Sequence, residues 1–193
     1  MKKVGITGGM GCGKSTVVGE FRALGIPCFV SDIVAAGYYY DLDFLDELRR
    51  LLGDEVFLPD GSADKRAVAK TVFSNRQLLE GLNALIHPRV KDDFKAFCYL
   101  YADAPYVLFE SAILYDYGFD RLMDSVICVY LQLDERLSRL AQRDGASREE
   151  LMARISNQLP AEEMMRRADY VILNYEGNPR QRQVAYIDNI LRQ

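Results

Sequence analysis

The chain has 193 residues, of which 49% are hydrophobic and 27% charged, values typical of a globular protein with a substantial core. Its formal net charge of −4 argues against binding to duplex DNA, which favours clustered basic residues. All apolar runs are short and the first strand begins beside the N-terminus, so we expect no signal peptide, no membrane span and a cytoplasmic location. The four cysteines form no Cys-x-x-Cys pair, which argues against a zinc site or a disulfide framework.

The motif with the clearest chemistry lies near the start of the chain. Residues 8–15 read Gly-Gly-Met-Gly-Cys-Gly-Lys-Ser and stand between a short apolar strand and a stretch of helical spacing, which predicts a phosphate-binding P-loop. Glycines allow the backbone N–H groups to surround an anion. The alternative interpretation of these residues is a glycine-rich turn that binds no ligand. Lys14 is expected to reach the β- and γ-phosphates, and the Ser15 hydroxyl to ligate Mg²⁺. The predicted ATP-binding residues of this segment are Gly8, Gly9, Met10, Gly11, Cys12, Gly13, Lys14, Ser15 and Thr16.

Acidic residues follow two of the apolar runs that predict buried strands. Those runs cover residues 26–30, 106–109, 126–131 and 170–173. In open α/β sheets, ligands bind beyond the carboxyl ends of the strands. Asp32 is therefore a site candidate, with a helix cap before Ile33 as the other interpretation. Glu110 occupies the position of a Walker-B acid, which holds Mg²⁺ directly or through water.

A helical region between the second and third strands holds the only histidine. Helical spacing over 75–86 is followed by His87, Pro88 and Arg89, and Pro88 favours a non-helical conformation for the residue before it. We treat His87 and Arg89 as candidate contacts to a substrate. A purely structural role for both is the alternative.

A polar helical segment separates the last two strands. Arg136, Arg139 and Arg143 are three and four residues apart, so they share one helix face. Guanidinium groups suit the charge of a triphosphate, although a solvated charged face is the alternative. Ser147 then opens a capping box for a second helix, and the pair of helices predicts a mobile lid.

Strands that alternate with helices after a P-loop predict an α/β fold with a three-layer parallel sheet, a helical substrate-binding insert and a helical lid, as in P-loop kinases. We expect one kinase unit over 1–193. Its parts are a core at 1–37, 104–132 and 168–193, an insert at about 38–103 and a lid at about 133–167. The Asn-Lys-x-Asp motif of signalling GTPases is absent, which favours a small-molecule kinase.

The motifs together resemble the dephospho-coenzyme A kinase family over nearly the whole chain. The segments that carry the resemblance are 5–16, Asp-Ile-Val-Ala at 32–35, Leu-Ile-His-Pro at 85–88, Arg139-Leu140 with Arg143, Arg154 with Gln158, and Ala-Asp-Tyr-Val-Ile at 168–172 with Asn174. The resemblance implies transfer of the ATP γ-phosphate to the ribose 3′-hydroxyl of dephospho-coenzyme A, with Mg²⁺ as cofactor. A related nucleoside or nucleotide kinase, or an inactive nucleotide-binding relative, is the alternative.

The same resemblance implies roles for individual residues. Asp32 would accept or orient the hydroxyl proton, and Arg139 would contact the transferred phosphate. Arg143 would stack on adenine, bordered by the loop that begins at Asn174. Ala36 stands where many members carry an arginine, so we expect the acceptor to be held without that side chain. The expected partners are ATP and dephospho-coenzyme A, without nucleic acid or membrane, in a monomer or weak homo-oligomer.

Overall fold

The computed structural model describes residues 1–193, which form five β-strands, nine α-helices and three short 3₁₀ turns. The strands are β1 (Lys2–Thr7), β2 (Cys28–Val30), β3 (Tyr106–Glu110), β4 (Ser125–Tyr130) and β5 (Tyr170–Leu173). The helices are α1 (Lys14–Ala23), α2 (Ser31–Gly37), α3 (Leu42–Leu52), α4 (Lys65–Phe73), α5 (Arg76–Leu100), α6 (Leu133–Asp144), α7 (Arg148–Ile155), α8 (Ala161–Arg167) and α9 (Arg180–Leu191). No helix combines the length and the apolar character needed to cross a bilayer.

All five strands are parallel and lie in the order β2-β3-β1-β4-β5. The central strand β1 pairs with β3 on one side and β4 on the other, so its C-terminal end is flanked by strand ends on both sides. Every residue of β3 is buried, as expected for a parallel strand that is covered on both faces. The predicted α/β fold with a parallel sheet is confirmed.

Contacts divide the chain into two compact units, which we call the core unit (1–30 and 101–193) and the helical unit (31–100). In the core unit, apolar side chains of α1 and α9 pack against one face of the sheet around Phe21, Tyr106 and Ile187. Each fully buried aliphatic or aromatic side chain of this kind stabilises the fold by about 1.5–3 kcal/mol. The sheet is therefore stabilised by packing against helices of the same unit.

The helical unit has its own core. Phe44 and Leu48 of α3, Val72 of α4 and Leu82 of α5 form its centre. The Asp64 carboxylate caps α4, because it accepts hydrogen bonds from the backbone N–H groups of Arg66 and Ala67 in the first turn. The helices of this unit are therefore held together by a buried apolar cluster of their own.

The non-helical conformation expected for His87 before Pro88 is wrong, because α5 runs without interruption from Arg76 to Leu100. Proline removes one backbone hydrogen bond from a helix, and the Arg89 guanidinium donates to the nearby Leu85 carbonyl at 2.9 Å. Leu82 before the proline and Phe94 after it are both buried. Packing on both sides thus outweighs the local preference of the proline.

His87 provides a test of this packing, because burial and the neighbouring Lys91 cation lower its pKa from 6.5 to about 4. Between those two values the unfolded chain binds the proton and the folded chain does not. The free energy of unfolding is therefore expected to rise with pH across this window. Above about pH 6.5 the neutral, buried His87 has no effect on it, and below that pH protonation of the unfolded chain lowers it progressively. We expect the His87→Asn variant to show a flatter dependence in denaturant titrations from pH 4.5 to 7. Identical slopes for the two proteins would show that His87 titrates normally.

Candidate phosphate-binding site

The loop between β1 and α1 has a conformation that only glycine tolerates at several positions. Gly8, Gly11 and Gly13 adopt φ angles of 152°, 81° and 91°. The backbone N–H groups of Gly11, Gly13, Lys14 and Ser15 donate to no acceptor in the protein. Unpaired N–H groups in a curved loop at a helix N-terminus form an anion-binding surface.

Lys14 is the first residue of α1, and its side chain folds back along the loop. The Nζ atom donates to the Gly8 carbonyl at 2.8 Å, and the side chain is partly buried. The Lys14 side chain therefore crosses the loop, from its own position after Gly13 back to Gly8. This position brings a positive charge to the same loop as the unpaired N–H groups.

Two side chains from a distant part of the chain hold the Met10 peptide groups of the loop. Arg136 of α6 donates from Nε to the Met10 carbonyl at 2.8 Å. Gln158, which follows α7, accepts from the Met10 N–H at 3.0 Å. A Cβ atom on Gly9 would lie 2.5 Å from Cζ of Arg136, so any larger residue here would displace the guanidinium. No spacing rule connects Arg136 or Gln158 with Met10, because these residues lie more than a hundred positions away along the chain.

Asn174 contacts the other end of the loop. It follows β5, is 4% exposed, and donates from Nδ2 to the Cys12 carbonyl at 2.7 Å. A Cβ atom on Gly13 would overlap that amide nitrogen, so the loop and Asn174 fit together only with glycine at this position. Asn174 thus lies beside the predicted phosphate site, while its predicted role toward adenine stays a prediction.

The three arginines of α6 occupy different environments. Arg136 is 4% exposed, and this burial lowers the pKa of its guanidinium. Arg139 is exposed and donates to the Asn174 carbonyl at 3.2 Å, which places it next to the loop. Arg143 is paired with Asp144, and the neighbouring Arg143 and Arg154 guanidinium groups lower the pKa of that carboxyl to about 2. Of the three, Arg139 is the exposed cation beside the loop, and the adenine contact proposed for Arg143 stays a prediction.

The oxygen ligands predicted for Mg²⁺ belong to the core unit. Ser15 is exposed, and its hydroxyl makes no hydrogen bond within the protein. Glu110 is 5% exposed and ends β3 in register with Ile6 of β1. No cluster of three or more His, Cys, Asp or Glu residues could hold a metal by itself. Magnesium prefers one or two protein oxygens together with substrate phosphates, and this donor set fits that preference.

The predicted acceptor residues belong to the helical unit. Asp32 lies in the first turn of α2, is exposed, and its carboxylate makes no hydrogen bond or ion pair. Because α2 begins at Ser31, the alternative interpretation of Asp32 as a cap before Ile33 is wrong. The Arg89 guanidinium bonds to Glu47 at 3.0 Å as well as to its own helix, and His87 is half-buried. The substrate contacts of His87 and Arg89 stay predictions.

Comparisons with known proteins identify relatives of this chain. A family model described as dephospho-CoA kinase matches residues 2–179. A dephospho-CoA kinase from Bacteroides fragilis is 37% identical over 182 residues, which covers 92% of this chain and 86% of that protein. A crystal structure from Thermus thermophilus is 33% identical with a TM-score of 0.89, covering 98% of this chain and 96% of the other. A dephospho-CoA kinase structure from Campylobacter jejuni has a TM-score of 0.69 at 21% identity and covers 98% of this chain and 96% of the other, a similarity of fold.

Proposed function

Because the chain belongs to the dephospho-CoA kinase family, whose reaction is the final step of coenzyme A synthesis, we propose how its residues divide the work of that reaction. The loop from Gly8 to Ser15 binds the triphosphate of ATP through its unpaired N–H groups and the Lys14 ammonium. The observation that supports this assignment is the set of four N–H groups without an acceptor in the protein. Preorganised donors of this kind are already in place when charge develops on the phosphate.

Asp32 is proposed as the residue that receives or orients the proton of the ribose 3′-hydroxyl. It stands two residues after β2 along the chain, and no protein group competes for its carboxylate. As the hydroxyl oxygen forms its bond to the γ-phosphorus, the bond from that phosphorus to the β-phosphate oxygen breaks. ADP leaves with that electron pair, and the hydroxyl proton goes to Asp32. A loose transition state demands little proton transfer at an early stage, so an exposed carboxylate is adequate.

Arg139 is proposed to contact the phosphate during transfer, because it is the exposed guanidinium beside Asn174 and Gly13. A planar guanidinium can bind two phosphate oxygens at once, so it stabilises charge that spreads over the transferred group. We also propose that Arg143 contacts adenine and that His87 and Arg89 contact the acceptor. Their side chains also take part in contacts within their own units.

Ser15 and Glu110 are the residues proposed to hold Mg²⁺. The ion would supply neutralising charge to the β- and γ-phosphates. We further propose that ATP and dephospho-coenzyme A are the substrates, and that neither nucleic acid nor a membrane takes part. The enzyme would work in the cytoplasm as a monomer or weak homo-oligomer.

The experiment that tests this function compares acceptors. Purified protein with Mg²⁺ and ATP is expected to release ADP with dephospho-coenzyme A, and to release none above background with adenosine or AMP. Phosphorus NMR of the product should show a new 3′-phosphate monoester, and EDTA should stop the reaction. Transfer to adenosine or AMP instead would identify a nucleoside or nucleotide kinase. Binding of ATP without transfer to any acceptor would identify an inactive relative.

A further inference from the structure

A chain of polar contacts links the phosphate-binding loop to the last helix of the protein. Asn174 donates from Nδ2 to the Cys12 carbonyl at 2.7 Å and accepts at Oδ1 from Arg180 at 2.8 Å. Arg180, the first residue of α9, also donates from Nε and from NH2 to one carboxylate oxygen of Glu20 in α1, at 2.8 and 2.7 Å. The Arg180 and Glu20 side chains are 28% and 17% exposed. The guanidinium is therefore held on one side by an ion pair and bonds to the amide on the other.

Arg180 determines which way the Asn174 amide faces. Its guanidinium has donors only, so the Asn174 oxygen must point toward it and the amide nitrogen away from it. A reversed amide would place two donors together at Arg180 and two oxygens together at Cys12. Because Asn174 is 4% exposed, water has little access to compensate for either mismatch.

The direction of the Cys12 carbonyl controls a donor of the loop. The peptide bond is planar and trans, so the carbonyl of Cys12 and the N–H of Gly13 point in opposite directions. The bond to Asn174 draws the carbonyl to one side of the loop. It thereby turns the Gly13 N–H, which has no acceptor in the protein, to the other side.

We infer that Arg180 is a positioning residue of the phosphate-binding loop, which acts through Asn174 to hold the Cys12–Gly13 peptide in its triphosphate-binding orientation. This inference rests on the proposed function only in requiring that the loop bind a nucleotide. It needs no particular acceptor. The Arg180 side chain donates no hydrogen bond to the loop itself; its partners are the Asn174 amide and Glu20 of α1.

A double-mutant cycle on nucleotide affinity tests the inference. We expect Arg180→Ala to weaken binding of Mg²⁺ with a non-hydrolysable ATP analogue by about tenfold, the size that loss of one charge-assisted buried hydrogen bond gives. Asn174→Ala should weaken it similarly. The double variant should be no weaker than Asn174→Ala alone, because Arg180 then has no amide to orient. Isothermal titration calorimetry gives the three constants, and the free energy of unfolding is measured beside each.

Turnover assays separate positioning from a general loss of stability. Arg180→Ala should raise KM for ATP about tenfold, in line with the affinity, and leave KM for the acceptor and kcat at saturating ATP near the wild-type values. The matched control is Arg192→Ala, which removes an ion pair with Asp188 of α9 that does not reach the loop. That variant should lose stability without any change in affinity for the nucleotide.

Equal effects of Arg180→Ala in the wild-type and Asn174→Ala backgrounds would overturn the inference, as would an unchanged affinity in the single variant. If Asn174→Ala does not fold, the same cycle is run with Asn174→Ser, which also removes the amide between Arg180 and the Cys12 carbonyl. Non-additive losses are expected there too, and additive ones would equally overturn it. A wild-type protein that binds no nucleotide would instead refute the proposed function.

Discussion

Lys14→Ala is expected to reduce kcat to less than about one part in 10³ of the wild-type value. The Lys14 ammonium lies 2.8 Å from the Gly8 carbonyl, so its charge is already at the loop that carries the unpaired N–H groups. The substitution removes the one cationic side chain of residues 8–15 and leaves a residue that is well suited to the first turn of α1. The measurement is ADP release with saturating ATP and dephospho-coenzyme A.

Lys2→Ala is the matched control for this variant. Lys2 also donates its ammonium to a backbone carbonyl, that of Leu191 at 3.2 Å, but at the opposite end of β1. Its removal is expected to leave kcat unchanged. Full activity of Lys14→Ala, with a normal circular dichroism spectrum, would exclude Lys14 from phosphate binding.

Asp32→Asn is expected to lower kcat by at least about 10²-fold, the lower end of contributions from general acid–base catalysis. The amide cannot accept the hydroxyl proton, although it has nearly the same shape as the carboxylate. Because Asp32 makes no bond within the protein, neither the melting temperature nor the affinity for ATP should change. Steady-state kinetics, calorimetry and thermal unfolding of the same preparation measure all three.

Asp43→Asn provides the comparison. Asp43 is likewise exposed, likewise lies in the first turn of a helix of the helical unit, and its carboxylate likewise makes no hydrogen bond or ion pair. This substitution should leave kcat unchanged. If Asp32→Asn turned over as fast as Asp43→Asn, Asp32 would have no part in catalysis.

Local patterns predicted the parts of the fold that depend on neighbouring residues. The apolar strand, glycine loop and helix around Lys14 follow from one motif, and the capping box at Ser147 is present as expected. The all-apolar composition of 106–109 indicated a covered central strand, and β3 is buried throughout. The local preference of Pro88 gave a wrong prediction for His87. The helix continues because burial of Leu82 and Phe94 outweighs one missing hydrogen bond.

The support of the loop could not be predicted from spacing. Arg136, Gln158 and Asn174 come from three separate segments and meet at Met10 and Cys12 only once the sheet has formed. Each such contact depends on the strand order and on helix directions, which no short pattern encodes. The N-terminal residue of the last helix, Arg180, gave no signal at all in the sequence.

The central claim is that the loop holds the triphosphate while Asp32 directs an alcohol oxygen at the terminal phosphorus. A crystal structure with dephospho-coenzyme A and a non-hydrolysable ATP analogue tests it most directly. We expect a carboxylate oxygen of Asp32 within about 2.6–3.2 Å of the 3′-hydroxyl, and that hydroxyl facing the γ-phosphate. A 3′-hydroxyl bound in the same complex by other groups, with Asp32 turned to solvent, would contradict it.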